Sequence, residues 1–299
     1  MKRTAVLASP FLSNIRWKEE ENMKFTKLHG CGNGYIYVNL FEETLENPAE
    51  MAIKVSDHHF GIGSDGLITI GSSEIADFTM HIYNADGSEA EMCGNGVRCV
   101  GKYVYDHGLT DKTEVAVETG AGIKYLTLNV ENGKVATVRV DMGEPMFAPE
   151  QIPVAAEGEV VLNEPIVAGD KEWEMTCVSM GNPHAVIFVD DVKNFPLEKY
   201  GPLFEHHERF PKRTNTEFVK VVSREEAYMR VWERGSAETW ACGTGTCATV
   251  VACILNGLTD RKVLVHLLGG DLVIEWDEDT NHVFMTGPAT EVFSGEYNG

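Results

Sequence analysis

Two cysteines in the sequence have surroundings that suit acid–base chemistry. Cys93 begins a Cys-Gly-Asn-Gly segment, and Cys242 begins a Cys-Gly-Thr-Gly segment. Apolar residues at helical spacing follow each of them, so each cysteine is predicted to lie at the start of a helix. The first amides of a helix have no intrahelical acceptor and carry a partial positive charge. Because that charge favours an anion, a thiol at this position ionises more readily than its ordinary pKa of about 8.5 allows.

The two segments belong to a longer repeat. Each cysteine is followed fifteen residues later by the glycine of a Gly-Leu-Thr-Asp sequence, at Gly108 and Gly257. These glycines fit the position just after a helix, where a left-handed backbone is favoured. An alternating strand and a Gly-Ser turn precede each cysteine, so the same unit occurs twice, 149 residues apart. Two similar halves predict two pseudo-symmetric domains with the active site in the cleft between them.

Short alternating segments predict a sheet-rich α/β (α+β) fold, for example at residues 78–83, 218–221 and 228–232. We expect each domain to be a mixed or antiparallel sheet wrapped around one central helix. The N-terminal domain is expected at residues 23–140, with residues 287–299 returning to it, and the C-terminal domain at 141–286. Residues 1–22 are expected to be a disordered N-terminal extension, since Met23 opens the first strand-like run.

Two such helices facing each other would provide one anion site with a sulfur atom on each side. One thiolate could then remove a proton from one face of a carbon atom, while the other thiol delivers a proton to the opposite face. The difficult species is the carbanion beside a carboxylate. Several amide donors could each contribute about 3 kcal/mol to its stabilisation, although not additively. A route without a cofactor is therefore physically feasible.

Cofactor and metal chemistry find little support in the residue pattern. We find no convincing lysine motif for pyridoxal phosphate, and the cysteine spacings do not match the Cys-x2-Cys pattern of zinc sites. We therefore expect neither a cofactor nor a metal. Residues alone leave open a redox or metal protein, and also a duplicated binding module whose cysteines only fill the core.

Composition limits the partners and the compartment. The formal net charge is −21, which argues against binding to nucleic acid or to an anionic membrane surface. No apolar run approaches the roughly 20 residues of a membrane span. Seven cysteines without an export signal predict reduced thiols and a cytoplasmic protein.

Other polar residues are candidates for binding a ligand. Four asparagines lie in turns or at the start of a strand: Asn33, Asn84, Asn182 and Asn215. Taken singly, such a residue is more often a turn former than a ligand contact. Glu233 and Arg234 close an alternating strand shortly before Cys242, and an arginine can hold a carboxylate through two hydrogen bonds. The remaining cysteines are expected to be packing residues: Cys31, Cys99, Cys177, Cys247 and Cys253.

The ordered motifs resemble those of the diaminopimelate epimerase family, from Met23 almost to the last residue. The matching segments are residues 24–33, 59–65, 84–89, 93–99, 181–185, 233–235 and 241–245. The resemblance implies an isomerase that interconverts LL- and meso-2,6-diaminopimelate without pyridoxal phosphate, in the biosynthesis of lysine and of peptidoglycan. It also implies a homodimer.

The same resemblance implies a role for each site residue. The acid–base pair would be Cys93 and Cys242. The backbone amides that hold the carboxylate at the reacting centre would be those of Gly94, Asn95, Gly243 and Thr244. The side chains that bind substrate would be Asn33, Asn84, Asn182, Asn215, Glu233 and Arg234. The residues that adjust the cysteine pKa values would be His184 and Glu233.

The sequence departs from the family pattern at two positions. The common Gly-Asn-Asp-Phe sequence is Gly32-Asn33-Gly34-Tyr35 here, and Gly66 stands where the family often has glutamine. We therefore assign no binding role to Gly66. A proline or hydroxyproline racemase would share the reaction type. It is disfavoured because Arg234 and four asparagines offer more polar contacts than a ring with one carboxylate needs.

Overall fold

A computed structural model describes residues 22–299 of the chain. The extension expected at residues 1–22 lies outside the described residues except for Asn22, which begins the first strand. The described part contains eighteen strands and four helices. None of these helices is long and apolar enough to cross a membrane.

The first half of the described chain contains eight strands and two helices. They are β1 (Asn22–Gly30), β2 (Asn33–Asn39), α1 (Pro48–Ser56), β3 (Gly66–Gly71), β4 (Phe78–Asn84), β5 (Glu89–Ala90), α2 (Gly94–Asp106), β6 (Glu114–Thr119), β7 (Gly122–Glu131) and β8 (Lys134–Asp141).

The second half contains ten strands and two helices. They are β9 (Glu164–Ala168), β10 (Lys171–Ser179), β11 (Pro183–Phe188), α3 (Leu197–Glu205), β12 (Asn215–Ser223), β13 (Glu226–Glu233), β14 (Ala237–Thr239), α4 (Gly243–Leu255), β15 (Lys262–Leu267), β16 (Gly270–Trp276), β17 (Val283–Pro288) and β18 (Thr290–Asn298).

The two halves pair their strands in the same order. In the first half β2 is parallel to β3 and β4 is parallel to β6; in the second half β11 is parallel to β12 and β13 to β15. The short strands β5 and β14 each fold back on the preceding strand just before a cysteine. At the outer edges, β18 pairs with β1 as β9 pairs with β10. The repeat seen around the cysteines therefore extends through the whole connectivity, and the expected sheet-rich α/β fold is confirmed.

The halves are joined where β8 pairs with β17. The chain leaves the first half after Asp141 and returns to it between Pro288 and Thr290, where β17 gives way to β18. These crossings lie close to the expected division at 140/141 and 286/287, and the division itself stays a prediction.

The two central helices α2 and α4 are held in the core by their apolar side chains. Val97, Val100 and Val104 share one face of α2 and are fully buried, as their spacing predicts. In α4 every residue from Gly245 to Cys253 is buried, so this helix is covered on all sides. Burying an aliphatic side chain of this size stabilises the fold by about 1.5–3 kcal/mol.

Each central helix begins directly after its cysteine and ends two residues before its glycine, as expected. Gly108 and Gly257 have φ angles of 73° and 67°, in the left-handed region. The next residues, Leu109 and Leu258, donate their amides back into the last turn of the helix, to the carbonyls of residues 104 and 253. This pattern satisfies carbonyls that the helix end would leave without a donor.

All seven cysteines are free thiols. The five that were expected to be packing residues are fully or almost fully buried: Cys31, Cys99, Cys177, Cys247 and Cys253. Burial raises the pKa of Cys99, Cys247 and Cys253 to about 12, so these side chains behave as small neutral apolar groups.

The backbone explains why Gly66 has no side chain. Its φ angle is 156°, and a Cβ atom added there would lie 2.2 Å from the carbonyl oxygen of Tyr83 on the neighbouring strand β4. Since Gly66 is paired directly with Asn84 in that ladder, the strand cannot move away without breaking the pairing. A glutamine at this position would require a different local backbone.

We expect Gly66→Ala to lower the free energy of unfolding by about 3 kcal/mol or more, because steric overlap with backbone adds to conformational strain. Gly108→Ala is the matched control. It also has a positive φ, but a Cβ there would meet no atom within 4 Å, so its cost should be about 1 kcal/mol. Urea denaturation monitored by circular dichroism measures both. Equal losses would show that the overlap at Gly66 is relieved by the backbone.

Candidate active site

Both candidate cysteines lie at the N-terminal cap of a central helix. The Cys93 sulfur accepts the Gly96 amide at 3.3 Å, and the Cys242 sulfur accepts the Gly245 amide at 3.4 Å. The backbone of each cysteine is extended, as at other helix caps. The sulfur atoms thus occupy the position where helix amides and the helix dipole favour a negative charge.

The N-termini of α2 and α4 touch each other. A Cβ atom added at Gly243 would lie 3.6 Å from the Cα of Gly94, and one added at Gly94 would lie 2.9 Å from the Met285 methyl group. The Asn95 side chain donates to the carbonyl of Ala241 at 3.1 Å and so links the two helix starts directly. A Cβ at either glycine would be crowded mainly by Met285, which lies beside both helix starts. The amides that open the two helices therefore face a common region, without intrahelical acceptors.

Asn33 holds the Cys93 thiol from the first half of the chain. The thiol donates to Asn33 Oδ1 at 3.3 Å, while Asn33 Nδ2 donates to Asp65 Oδ2 at 2.8 Å. The Gly34 amide donates to the same carboxylate oxygen at 2.8 Å. Since an ionised carboxylate only accepts, Asp65 fixes which end of the Asn33 amide faces the sulfur. Asp65 was not expected as a site residue, and it places a carboxylate beside Asn33 although position 34 lacks one.

Tyr35 is a second residue that the sequence did not single out. The charge of a Cys93 thiolate and burial both raise the pKa of Tyr35, so its phenol stays neutral and can donate a hydrogen bond. The Tyr35 hydroxyl in turn stabilises the thiolate. Its position two residues after Asn33 is the signal that could have found it, because side chains two apart lie on the same face of a strand.

Several groups around Cys93 partly offset the effect of burial on the pKa of its thiol. Burial raises the pKa of the Cys93 thiol, and four groups oppose that increase. They are the Gly96 amide, the Tyr35 hydroxyl, the Asn95 amide and the positive charge of Arg98. No carboxylate is among the causes of the Cys93 shift.

Cys242 lies in a more negative environment. Burial raises its pKa well above the ordinary value, and the carboxylates of Glu233 and Glu217 add to the increase. The Thr244 hydroxyl and the Gly245 amide oppose it. The two thiols therefore differ in their surroundings, because carboxylates add to the effect of burial at Cys242 while the charge of Arg98 opposes it at Cys93.

His184 and Glu217 form a buried pair next to Cys242. Both side chains are fully buried, and His184 Nδ1 lies 2.7 Å from Glu217 Oε1. His184 Nε2 lies 3.0 Å from Asn182 Oδ1, so the imidazole connects Glu217 with Asn182. The second oxygen of Glu217 has no hydrogen-bond partner among the described residues. The sequence did not single out Glu217, although a glutamate inside the buried stretch 215–219 is rare enough to mark a functional group.

Glu233 also faces Cys242. Burial raises the pKa of the Glu233 carboxyl, which accepts a hydrogen bond from the Thr239 hydroxyl. A buried carboxyl group whose pKa is raised takes up a proton more readily than an exposed one, which suits a group that adjusts a neighbouring thiol.

Three other candidate binding residues make polar contacts of their own: Asn215, Arg234 and Asn84. The buried amide of Asn215 donates to the Pro183 carbonyl and accepts the Arg234 amide, both at 2.8 Å, so it fixes two turns together. The Arg234 side chain is exposed and donates to the Lys212 carbonyl at 3.1 Å. Asn84 is half-buried opposite Gly66 and donates to Ser88 Oγ. The structure thus brings the cysteines and their cap amides together, and leaves Arg234 turned towards backbone.

Among residues 22–299, no three His, Cys, Asp or Glu side chains converge as the ligands of a metal ion. What the site can do follows from its donors. A cysteine sulfur lies beside the first amides of each helix, and the two helix starts are in contact, so a carboxylate could be held there while protons are exchanged at the adjacent carbon.

Solved structures with related folds support the two-domain architecture. A phenazine biosynthesis protein of Bacillus anthracis superposes with a TM-score of 0.68 at 17% identity, covering 92% of this chain and 99% of that one. A hydroxyproline epimerase from Agrobacterium vitis also gives a TM-score of 0.68, at 13% identity, covering 94% of this chain and 93% of that one. At such low identity these likenesses establish the fold alone.

Sequence relatives are much closer. A diaminopimelate epimerase of Agathobacter rectalis is 75% identical over 281 residues, covering 92% of this chain and 99% of the relative. Those of Acetivibrio thermocellus and Methanococcus maripaludis are 63% and 59% identical, again over 92% of this chain and 98% and 99% of the relatives. A sequence model described as diaminopimelate epimerase matches residues 25–148 and 176–292. The chain belongs to the diaminopimelate epimerase family.

Proposed function

We propose that the protein interconverts LL- and meso-2,6-diaminopimelate by moving protons between two sulfur atoms, without a cofactor. The observation that carries this proposal is the contact between Gly94 and Gly243, which brings two cysteine-capped helix termini to one place. Family membership supports the substrate, because near-full-length relatives bear that name. The reaction is an isomerisation at the carbon next to one carboxylate.

The reaction starts with Cys93 as thiolate and Cys242 as thiol, in accordance with their different surroundings. Cys93 takes the proton from one face of the α-carbon, and the electron pair left behind spreads onto the adjacent carboxylate. Cys242 then gives its proton to the opposite face and becomes the thiolate, so that no net proton is gained or lost. The amides that stabilise the developing charge are those of Gly94, Asn95, Gly243 and Thr244.

In this proposal six side chains recognise the rest of the substrate. They are Asn33, Asn84, Asn182, Asn215, Glu233 and Arg234. Arg234 reaches the substrate by exchanging the Lys212 carbonyl for a substrate carboxylate, a stronger, charge-assisted acceptor. His184 and Glu233 adjust the pKa of Cys242, and Glu217 joins them because it holds the imidazole of His184.

Domain division, assembly and compartment belong to the same proposal. The domains are residues 23–140 with 287–299, and residues 141–286. A homodimer is supported by two apolar side chains on the outer strand β18, Val292 and Phe293, which are 52% and 44% exposed. Sedimentation equilibrium would give the mass in solution. Seven free thiols support a cytoplasmic location.

The two-sulfur route predicts a distinct isotope pattern. In heavy water containing EDTA, the first product formed from LL-diaminopimelate should carry deuterium at the inverted carbon, while unreacted substrate carries none. The reason is that the proton removed by one sulfur differs from the one delivered by the other. Mass spectrometry of both pools at early times measures this. Loss of activity in EDTA, or equal early deuterium in substrate and product, would contradict the proposal.

Cys93→Ala and Cys242→Ala should each abolish inversion, because each sulfur can exchange a proton with only one face of the α-carbon. Cys99→Ala is the matched control, since it removes a buried thiol of the same helix as Cys93 that faces the core. It should keep activity with a small loss of stability. An active Cys93→Ala or Cys242→Ala protein would show that one base suffices.

Glu217→Gln should move the alkaline limb of the bell-shaped rate profile to lower pH. That limb reports loss of the Cys242 proton, and removing a carboxylate that raises this pKa makes the proton easier to lose. In this variant Glu233 and Thr244 still act on the sulfur. The apparent values belong to the coupled pair, so the shift rather than the absolute position is the measurement.

The matched control is Glu205→Gln. Glu205 is also buried but bonds to Trp232 and to the Gly235 amide. It should leave both limbs in place. An unmoved alkaline limb in Glu217→Gln would mean that Glu217 does not act on Cys242.

A further inference from the structure

Arg98 is a buried cation that the proposed reaction does not use. It lies on α2, one turn after Gly94. Its exposed fraction is 0%, and it is the largest by volume of the fully buried side chains in the described residues. A guanidinium group is always protonated in proteins. Burying such a charge costs several kcal/mol unless an anion compensates it.

The contacts of Arg98 do not include an anion. Its Nε donates to the Pro288 carbonyl at 3.2 Å and its Nη1 to the Gly94 carbonyl at 3.3 Å. Two sulfur atoms complete the set, Met285 Sδ at 3.5 Å and Cys31 Sγ at 3.7 Å. Sulfur is a weak acceptor. Within residues 22–299 the ion pairs of arginine involve other positions, so the charge of Arg98 stays uncompensated.

The guanidinium lies directly behind the helix termini. Gly94, whose carbonyl it holds, opens α2, and Met285, which it contacts, packs against both Gly94 and Gly243. Two further glycines leave room for it. A Cβ added at Gly30 would lie 2.9 Å from Nη2, and one added at Gly287 would lie 3.1 Å from Nε. Glycines on two strands thus leave room for this cation, which lies next to the first residue of α2.

We propose that Arg98 is a positioning residue whose uncompensated charge, added to the two helix termini, holds the reacting carboxylate and the negative charge that develops on it. The proposal rests on the proposed function, because the substrate carboxylate and the Cys93 thiolate are the anions that complete the site. Arg98 does not touch them; it acts through the Gly94 peptide and the space behind it.

The neighbouring thiols respond to this charge. Arg98 opposes the effect of burial on the pKa of Cys93, and also on those of Cys31, Cys99 and Cys247. Around Cys93 the phenols of Tyr35 and Tyr37 are neutral, because the pKa of each is raised. The carboxylate of Asp271 has the opposite effect on Cys31, because it raises the pKa of that thiol. The charge of Arg98 therefore acts on the Cys93 sulfur as well as on its immediate neighbours.

The charge can be cancelled without removing the arginine. Cys31 has a φ angle of 53°, in the left-handed region that Asp and Asn tolerate, and its sulfur already contacts Nη2. Cys31→Asp places a carboxylate against the guanidinium, whereas Cys31→Asn gives nearly the same shape without a charge. We expect Cys31→Asp to slow alkylation of Cys93 by iodoacetamide about tenfold at pH 7, equal to about one pKa unit. Cys31→Asn should stay within about threefold of the wild type.

The same pair of variants is then assayed for epimerase activity. Cys31→Asp should lower kcat/KM by about 100-fold, as loss of one group that stabilises a developing charge does, and Cys31→Asn should not. Thermal unfolding reports whether both fold. If Cys31→Asp does not fold, Arg98→Met against Arg98→Lys makes the same comparison, with slow alkylation expected only for the methionine.

Equal alkylation rates and equal kcat/KM in Cys31→Asp and Cys31→Asn would overturn the proposal, and would leave Arg98 as a structural link between Gly94 and Pro288. Equal rates in the two Arg98 variants would do the same. A wild-type protein without epimerase activity would refute the proposed function instead, and the alkylation comparison would still decide whether the charge of Arg98 reaches Cys93.

Discussion

The contact between the N-termini of α2 and α4 is the constraint on which the structure depends. Two helix ends of the same partial charge meet at Gly94 and Gly243, with the guanidinium of Arg98 behind them. Without an anion this arrangement is electrostatically unfavourable, so the surrounding sheets must hold it together. They do so by burying apolar side chains around both helices, from Val97 on α2 to Val251 on α4. In the proposed reaction, the substrate carboxylate relieves this repulsion between the two helix ends.

The duplicated halves have the same topology but different electrostatics. Cys93 has neutral donors around it, among them Tyr35, with the charge of Arg98 nearby, and its thiol donates a hydrogen bond to Asn33. Cys242 faces Glu217 and Glu233 at the corresponding place in the other half. One strand order therefore surrounds two sulfur atoms with different charges. A symmetric pair would leave the two thiols with equal pKa values, and neither would be the preferred base.

Local patterns predicted the helix starts, the glycines that end them and the alternating strands, because each depends on residues close together in sequence. The repeat around the cysteines also predicted the paired halves. The partners of Glu217 and Arg98 could not be predicted, since β11, β12, β17 and α2 come together only in the folded chain. Asp65 lies 32 residues from Asn33, and its role depends on the parallel pairing of β2 with β3. The Gly-Ser turn beside Arg234 was predicted, but its side-chain contact with the Lys212 carbonyl joins residues 22 apart and could not be.

The proposed exchange between two sulfurs has a consequence for the free protein. In that proposal, one forward turnover leaves a proton on Cys93 and removes one from Cys242, so the released protein is in the state that serves the reverse direction. Cys242 is 6% exposed, which limits direct access of water to its sulfur. Return to the starting state requires a proton to pass from Cys93 to Cys242 by way of solvent, a step in which no substrate takes part. In the proposed reaction this relaxation is therefore a step separate from the making and breaking of bonds to carbon.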